Sequence, residues 1–277
     1  MFFLPALGLV ILGLEWCLKR ELGMRIVCKR TDELSSSEWR QIVALFESVF
    51  ERENSIERLK EAYTQNVLGY SFHAIIEDDD QIVGLNSYVP AYYLFKGEKM
   101  LFANSVTSMV AKKYRDFFSF FDMVKAAYSY MAKNGVSFVF GYPNDNSYPV
   151  LLKSKLMREI GKMSIHCLPY RIGGIKSALS FLNLFSVCIS RLWVGFLGLF
   201  ANDYQIHKEE ESYNRMRYSR QDGDYRKINE RGCVFVYKIM RYDHIWTAFL
   251  IDVSPKSSRN FNKALQYLIK HQGKEFD

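Results

Sequence analysis

Between Phe102 and Gly161 the apolar positions switch period repeatedly, and each switch marks an element. The run FANSVTSMV alternates with period two and predicts a strand. Phe120, Met123, Val124, Ala127 and Met131 recur every three to four residues, which predicts an amphipathic helix. VSFVFGYP returns to strand composition, and the polar loop NDNSY leads into a further helix and strand. The basic loop AKKYRDF joins the first strand to the first helix. A strand feeding a loop and then a helix N-terminus gathers free backbone N–H groups and the positive end of the helix dipole at one spot. That spot suits an anionic ligand.

Upstream, Met24–Arg30 reads as a first strand. Ser35-Ser36-Ser37-Glu38 has capping-box spacing and opens a helix through Trp39, Ile42, Val43, Phe46, Val49 and Phe50. A second helix is expected over Ile56–Asn66. Antiparallel strands follow within Leu68–Val110, including Ser71–Ile76 and Ile82–Val89 around the acidic turn Asp78-Asp79-Asp80. Three consecutive side chains on a hairpin tip cannot converge on one ion, so the turn reads as solvated.

Downstream, Leu179–Phe200 is an apolar segment on which Asn183, Ser186, Ser190 and Arg191 lay a polar stripe. Arg191 makes a bilayer crossing costly, by about 2.5–3.5 kcal/mol. Two readings stay open: a helix in a membrane interface, anchored by Trp193 and Phe196, or a linker helix packed between domains. Asn202–Arg231 is highly charged and predicts exposed helix and loop. Cys233–Met240 and Trp246–Asp252 read as strands, and Phe261–His271 as a helix.

This order of elements resembles the acyl-CoA-binding core of the GNAT acetyltransferase superfamily. The resemblance is carried by Tyr114-Arg115, where that family begins its R/Q-x-x-G-x-G/A pyrophosphate loop, and by Gly141-Tyr142-Pro143-Asn144-Asp145-Asn146-Ser147-Tyr148 after the next strand. It implies an α/β fold, a mixed and mostly antiparallel GNAT-like sheet flanked by helices. It also implies a cofactor site built from Ser108, Met109, Val110, Arg115, Asp116, Phe117, Phe118, Ser119 and Phe120, with Asn144 and Asn146 on the facing loop. The co-substrate is then acetyl-CoA or another acyl-CoA, and the acceptor an amine or amino sugar. Two departures stand out. Phe118 and Phe120 occupy positions where the family places small residues that let backbone approach phosphate. Leu156 replaces a second family glycine. The proton donor's usual place falls at Leu152, and Tyr148, one turn earlier, is the nearby substitute. No carboxylate lies on the strand holding Asn104, Ser105, Thr107 and Ser108, so a base would act through water.

Met131–Phe138 and Ile269–Phe276 both run from a helix end through a glycine (Gly135, Gly273) toward strand residues. A partial second GNAT-like half, similar to the tandem Fem-type aminoacyltransferases of bacterial surface-glycan synthesis, is therefore expected. The organisation expected is an apolar extension (1–23), a GNAT-like domain (24–172), amphipathic and charged connecting helices (173–231) and the partial half (232–277). The stretch before Met24 reads either as a membrane-associating anchor or as lying upstream of the true start, and the short second half reads either as a truncated reading frame or as an atypical family member.

Composition narrows the function. Hydrophobic content of 49% with 24% charged residues describes a folded chain. The net charge of +7 suits a polyphosphate ligand or an anionic membrane surface. No zinc spacing, RNA-binding strand motif or basic recognition helix accompanies it, so no nucleic-acid partner is expected. Cys17, Cys28, Cys167, Cys188 and Cys233 are odd in number and widely spaced, which fits the cytoplasm, with a peripheral contact at the inner membrane face through 179–200 as an added reading. His73 and His166 sit in predicted strands as core residues. Two functions follow: an acyl-CoA-dependent N-acyltransferase, or a GNAT scaffold that has lost catalysis and serves as a binding component.

Overall fold

A computed structural model describes residues 24–115, 117–161, 168, 170–197, 206–208, 218, 224–230, 232–242 and 244–276. The chain divides into two units, Met1–Gly161 with Ile206–Arg220, and Lys162–Gln205 with Gln221–Asp277. The division differs from the expected one. The helices after residue 172 belong with the C-terminal strands, and Ile206–Lys208 returns to the first sheet.

In the first unit the order is β1 (Arg25–Arg30), α1 (Ser36–Phe50), α2 (Ile56–Thr64), β2 (Phe72–Asp78), β3 (Gln81–Phe95), β4 (Glu98–Val110), α3 (Phe117–Lys133), β5 (Phe138–Gly141) and α4 (Tyr148–Ser154). The strands lie in sequence order, all antiparallel except the β4–β5 pair. A short strand β6 (Ile206–Lys208) pairs with the end of β3. Ile75, Leu85 and Met109 bury one face of the sheet under α1 and α2, against Trp39, Ile42 and Tyr63. Ala74, Ile76, Tyr88 and Ala103 bury the other under α3, against Met123, Ala127 and Met131. Covered on both faces, β2 is buried continuously from Phe72 to Glu77 rather than at alternate positions.

Local chemistry starts and stops these elements. Ser35 Oγ accepts from the Glu38 N–H while the Glu38 carboxylate accepts from the Ser35 N–H, closing the expected capping box. Burial would raise the Glu38 carboxyl, but hydrogen bonds from Lys29 and Ser35 outweigh it and hold the group below its ordinary value. The β2–β3 and β3–β4 hairpins turn on Asp79-Asp80 and Lys96-Gly97, each pair with positive φ, as tight two-residue turns require. Asp78 belongs to β2 and accepts from the Tyr114 hydroxyl at 2.6 Å, while Asp80 accepts from Arg25 at 3.0 Å. Asp78 and Asp80 thus point to different partners.

In the second unit, helix α5 (Asn183–Leu197) follows short turns at Ile172–Ile175 and Ser177–Leu182. Strands β7 (Arg226–Glu230), β8 (Cys233–Tyr242) and β9 (Ile245–Ser254) form an antiparallel sheet, and α6 (Ser258–Tyr267) packs on it. Tyr170, Phe235, Tyr237, Val253, Ala264, Leu268 and Phe276 make the core. The segment 202–231, expected as helix and loop, contributes strands where it is described: β6, and β7 with the sequence RKINE. Its charges suit an edge strand, with Ile228 turned toward the core. The strand expected around His166 lies outside the described residues. The order strand, strand, helix is present in β8, β9 and α6, and a second copy of the first domain remains an expectation.

His73 locks the first unit's upper corner. It is fully buried, hydrogen-bonded to Thr31 Oγ1 at 2.8 Å through Nε2 and to Ser87 Oγ at 2.9 Å through Nδ1, with the Tyr63 ring edge-on at 4.9 Å. Burial lowers its pKa to about 3. An unfolded histidine takes up a proton near pH 6.5, so between pH 6.5 and about 3 the unfolded state binds more protons and stability falls with falling pH. The expected slope is about 1.4 kcal/mol per pH unit from this one group. Denaturant titrations of wild type and His73→Gln across that range should diverge in slope by this amount. Parallel pH profiles would show that His73 is not held neutral.

Candidate functional site

The site begins where two parallel strands stop pairing. β4 and β5 are in register from Phe102 opposite Phe138 to Ser105 opposite Gly141, and then they part. β4 continues to Val110, while the chain leaving β5 turns away through Tyr142 and Pro143. Three local features force the separation. The register to β3 places Ser105 opposite Tyr88 and Thr107 opposite Ser87, so Val106 is an extra residue that bulges and twists β4. Pro143 has no N–H to continue a ladder. Gly141 approaches β4 so closely that a Cβ there would sit 3.2 Å from Ser105 Cβ.

Asn86, buried on β3, braces the bulge. Its amide oxygen accepts from Ser105 Oγ at 3.3 Å and from Ser108 Oγ at 3.0 Å, on either side of Val106. Its amide nitrogen donates to the Tyr88 hydroxyl at 2.7 Å. Burial drives the Tyr88 phenol well above its ordinary pKa, so it stays protonated. One side chain thereby fixes both serines on the strand that edges the gap.

The parted strands leave a cavity of about 680 Å³. Its floor is the edge of β4 from Ser105 to Val110, one wall is the end of α1 at Val49 and Phe50, and another is Arg115 with Phe120 of α3. The far wall is the loop carrying Tyr142, Asn144, Asn146 and Ser147, with Val150 and Leu151 of α4. Along the chain, Lys112 and Lys113 precede the lining residue Arg115 near the start of α3, and Glu51, Arg52 and Glu53 follow the lining residue Phe50.

Of the residues expected at the site, Ser108, Met109, Val110, Arg115, Phe120, Asn144 and Asn146 meet at this cavity. Arg115 Nε donates to the Val110 carbonyl at 2.9 Å, tethering the guanidinium to the end of β4. Phe120 borders the cavity and also packs, partly buried, against the core under α3. Asn144 Oδ1 accepts from the N–H groups of Asn146 and Ser147 and from Ser147 Oγ, forming the turn that starts α4. Ser119 is buried and faces β1, with its hydroxyl 3.9 Å from Met24 Sδ, and it lines a different cavity. Asp116 and the side chains of Phe117 and Phe118 lie outside the described residues.

Tyr148 is the first residue of α4, and its hydroxyl donates to Glu159 at 2.5 Å. That hydrogen bond raises the phenol's pKa. Tyr148 is not among the cavity-lining residues, whereas Ser147, Val150 and Leu151 are, because successive helix positions point about 100° apart. Tyr142 does line the cavity and is 69% exposed. Sequence reasoning passed over it. The available signal was its place between Gly141 and Pro143, where a strand must leave the sheet. Asn86 was missed as well, although a lone amide inside the apolar run of β3 marks a buried polar contact. Among the described lining residues, Arg115 is the charged side chain and Tyr142 the phenol.

No curated protein matches the chain. Among solved structures, the chain is similar to an aminoglycoside acetyltransferase from an uncultured soil metagenomic sample, with 15% identity over 52% of this chain and 93% of that one and a TM-score of 0.41. A conserved protein of unknown function from Enterococcus faecalis V583, described as a probable N-acyltransferase, is 18% identical over 47% of this chain and 31% of its own, with a TM-score of 0.38. Glucosamine-6-phosphate N-acetyltransferase from Arabidopsis thaliana is 13% identical over 51% of this chain and 98% of its own, with a TM-score of 0.39. The family model described as an acetyltransferase (GNAT) domain matches residues 30–153, from the last residue of β1 into α4. Residues 30–153 are therefore a domain of the GNAT acetyltransferase family.

Proposed function

We propose that the first unit transfers an acyl group from acyl-CoA to an amine, in the cleft between β4 and β5. The observation that carries this reading is the freed edge of β4 from Val106 to Val110, whose backbone groups can pair with the amides of a pantetheine arm as a further strand would. Arg115, Lys112 and Lys113 beside the start of α3 suit the cofactor's phosphates. Glu51 and Glu53, with Arg52 between them, leave one net negative charge past Phe50, and a small amine or amino sugar is the acceptor this reading takes. Free thiols at Cys28, Cys188 and Cys233 fit a cytoplasmic setting.

In the reaction the amine nitrogen attacks the thioester carbonyl, the C–N bond forms and the C–S bond breaks. The amine gives up a proton and the departing thiolate gains one. With no carboxylate or histidine among the described lining residues, the amine's proton leaves through water. Tyr142, whose side chain lines the cavity, is the residue we assign to protonate the thiolate. Most of the rate then comes from holding the two reactants together. A non-catalytic scaffold is the second reading, favoured by Phe120 at the phosphate side of the cavity.

Calorimetric titration with acetyl-CoA separates the two. Binding should be micromolar, and Arg115→Ala should weaken it about ten- to hundredfold, the worth of a charge-assisted hydrogen bond. No binding at millimolar acetyl-CoA by the folded protein would eliminate the transferase reading. Once an acceptor is in hand, Tyr142→Phe should lower kcat by about a hundredfold or more. Tyr148→Phe should leave kcat within about twofold, since general-acid effects require contact. The opposite pattern would return the role to Tyr148. Asn86→Ala should weaken acetyl-CoA by roughly tenfold while thermal unfolding stays cooperative, because it leaves Ser105, Ser108 and Tyr88 without a shared partner. Unchanged affinity would mean that β4 is held in place without the amide.

A further inference from the structure

We propose that the outward face of α5 seats the protein on an anionic lipid surface, with the helix lying along the membrane rather than crossing it. The argument starts from an inversion. The polar stripe of this helix points into its own unit. Asn183 Oδ1 accepts from the Gly173 N–H at 2.8 Å, Ser186 Oγ donates to the Tyr170 carbonyl at 3.0 Å, and Ser190 is buried. Val187 and Val194 share that inner side, Val187 against the core of the second unit.

The large apolar residues consequently face out. Leu184 is 78% exposed and Leu192 76%, with Phe185, Ile189, Trp193 and Phe196 around them. At about 100° per residue these six side chains cover about half the helix circumference. A face this wide and continuous is the mark of a surface that is covered in use.

Charge selects the occupant. No Asp or Glu occurs between Glu159 and Asp203, while Arg171, Lys176 and Arg191 do occur there. All three cations are at least partly exposed. A second copy docking the same face about a twofold axis would bring these cations toward one another with no acid to offset them. An anionic lipid surface offers apolar chains for the leucines and phenylalanines, headgroup charge for the cations and an interface for Trp193. Ser177–Val194 is long and apolar enough to span a bilayer. Its inner side is nevertheless occupied by α6 and the sheet, so the helix rests on the surface with one side in lipid. This inference does not depend on the transferase reading.

The test is co-sedimentation of the full chain with vesicles of phosphatidylcholine alone and of phosphatidylcholine with phosphatidylglycerol. The protein should partition onto the anionic vesicles and release as salt is raised. Leu184→Ser with Leu192→Ser should lower that partition about tenfold or more. Because both side chains are exposed, circular dichroism should be unchanged. Arg171→Gln with Lys176→Gln should reduce binding to anionic vesicles selectively, by a comparable factor. Absence of binding to either vesicle, or equal binding by the leucine double variant, would overturn the proposal. So would light scattering that shows a dimer in solution, dissociated by the same leucine substitutions, since a second copy would then be the occupant.

Discussion

Four residue pairs of parallel ladder, followed by separation, are the constraint on which the rest of the first unit depends. A strand that loses its neighbour exposes backbone donors and acceptors that need partners. Left loose, such an edge would fray. Here β4 is held from its other side by a hairpin with β3 that runs from Phe95 opposite Glu98 to Gly84 opposite Val110. The long ladder explains how β4 can project past β5 and still present a fixed row of groups. The Val106 bulge sits where the ladder has to bend, and Asn86 grips the serines on either side of it. The hydrogen bond from Arg115 to the Val110 carbonyl then ties the start of α3 to the far end of the same strand.

The two covered faces of the sheet serve this edge differently. Under α1 and α2, packing brings Val49 and Phe50 to one wall of the cleft. Under α3, packing of Met123, Ala127 and Met131 orients the helix so that its first turn meets the cleft at Phe120. Phe120 shows how a bulky residue can replace a small one there. Its ring packs against the core cluster under α3 while it also borders the cavity. The departure from the family's small-residue pattern is therefore a packing change before it is a chemical one.

What the sequence made legible was mostly local. The Ser35–Glu38 capping box, the periodicity of α3 and the alternation of β8 and β9 each depend on spacing within one element, and each was read correctly. The meeting of Ser108, Met109, Val110, Arg115, Asn144 and Asn146 at one cavity was legible through family likeness. What escaped was long-range. Asn86 matters because of partners 19 and 22 residues away on another strand. Tyr142 and Tyr148 look interchangeable along the chain, and the rotation of α4 with the Glu159 hydrogen bond tells them apart. Charge density concealed β7, since an edge strand can carry as much charge as a loop.

The stripe on α5 shows why pattern alone does not give direction. Asn183, Ser186 and Ser190 recur at helical spacing, and in water the usual inference would turn them outward. Short polar side chains can instead satisfy neighbouring backbone, as Asn183 does for Gly173 and Ser186 for Tyr170. Once those hydrogen bonds form inside the unit, the opposite side of the helix must carry the leucines and aromatics, whatever surrounds it. Periodicity therefore fixes that a helix has two faces, and the hydrogen-bond partners decide which face is buried. In this chain the decision leaves the large apolar groups of α5 outside, which is the arrangement the proposed seat on a lipid surface requires.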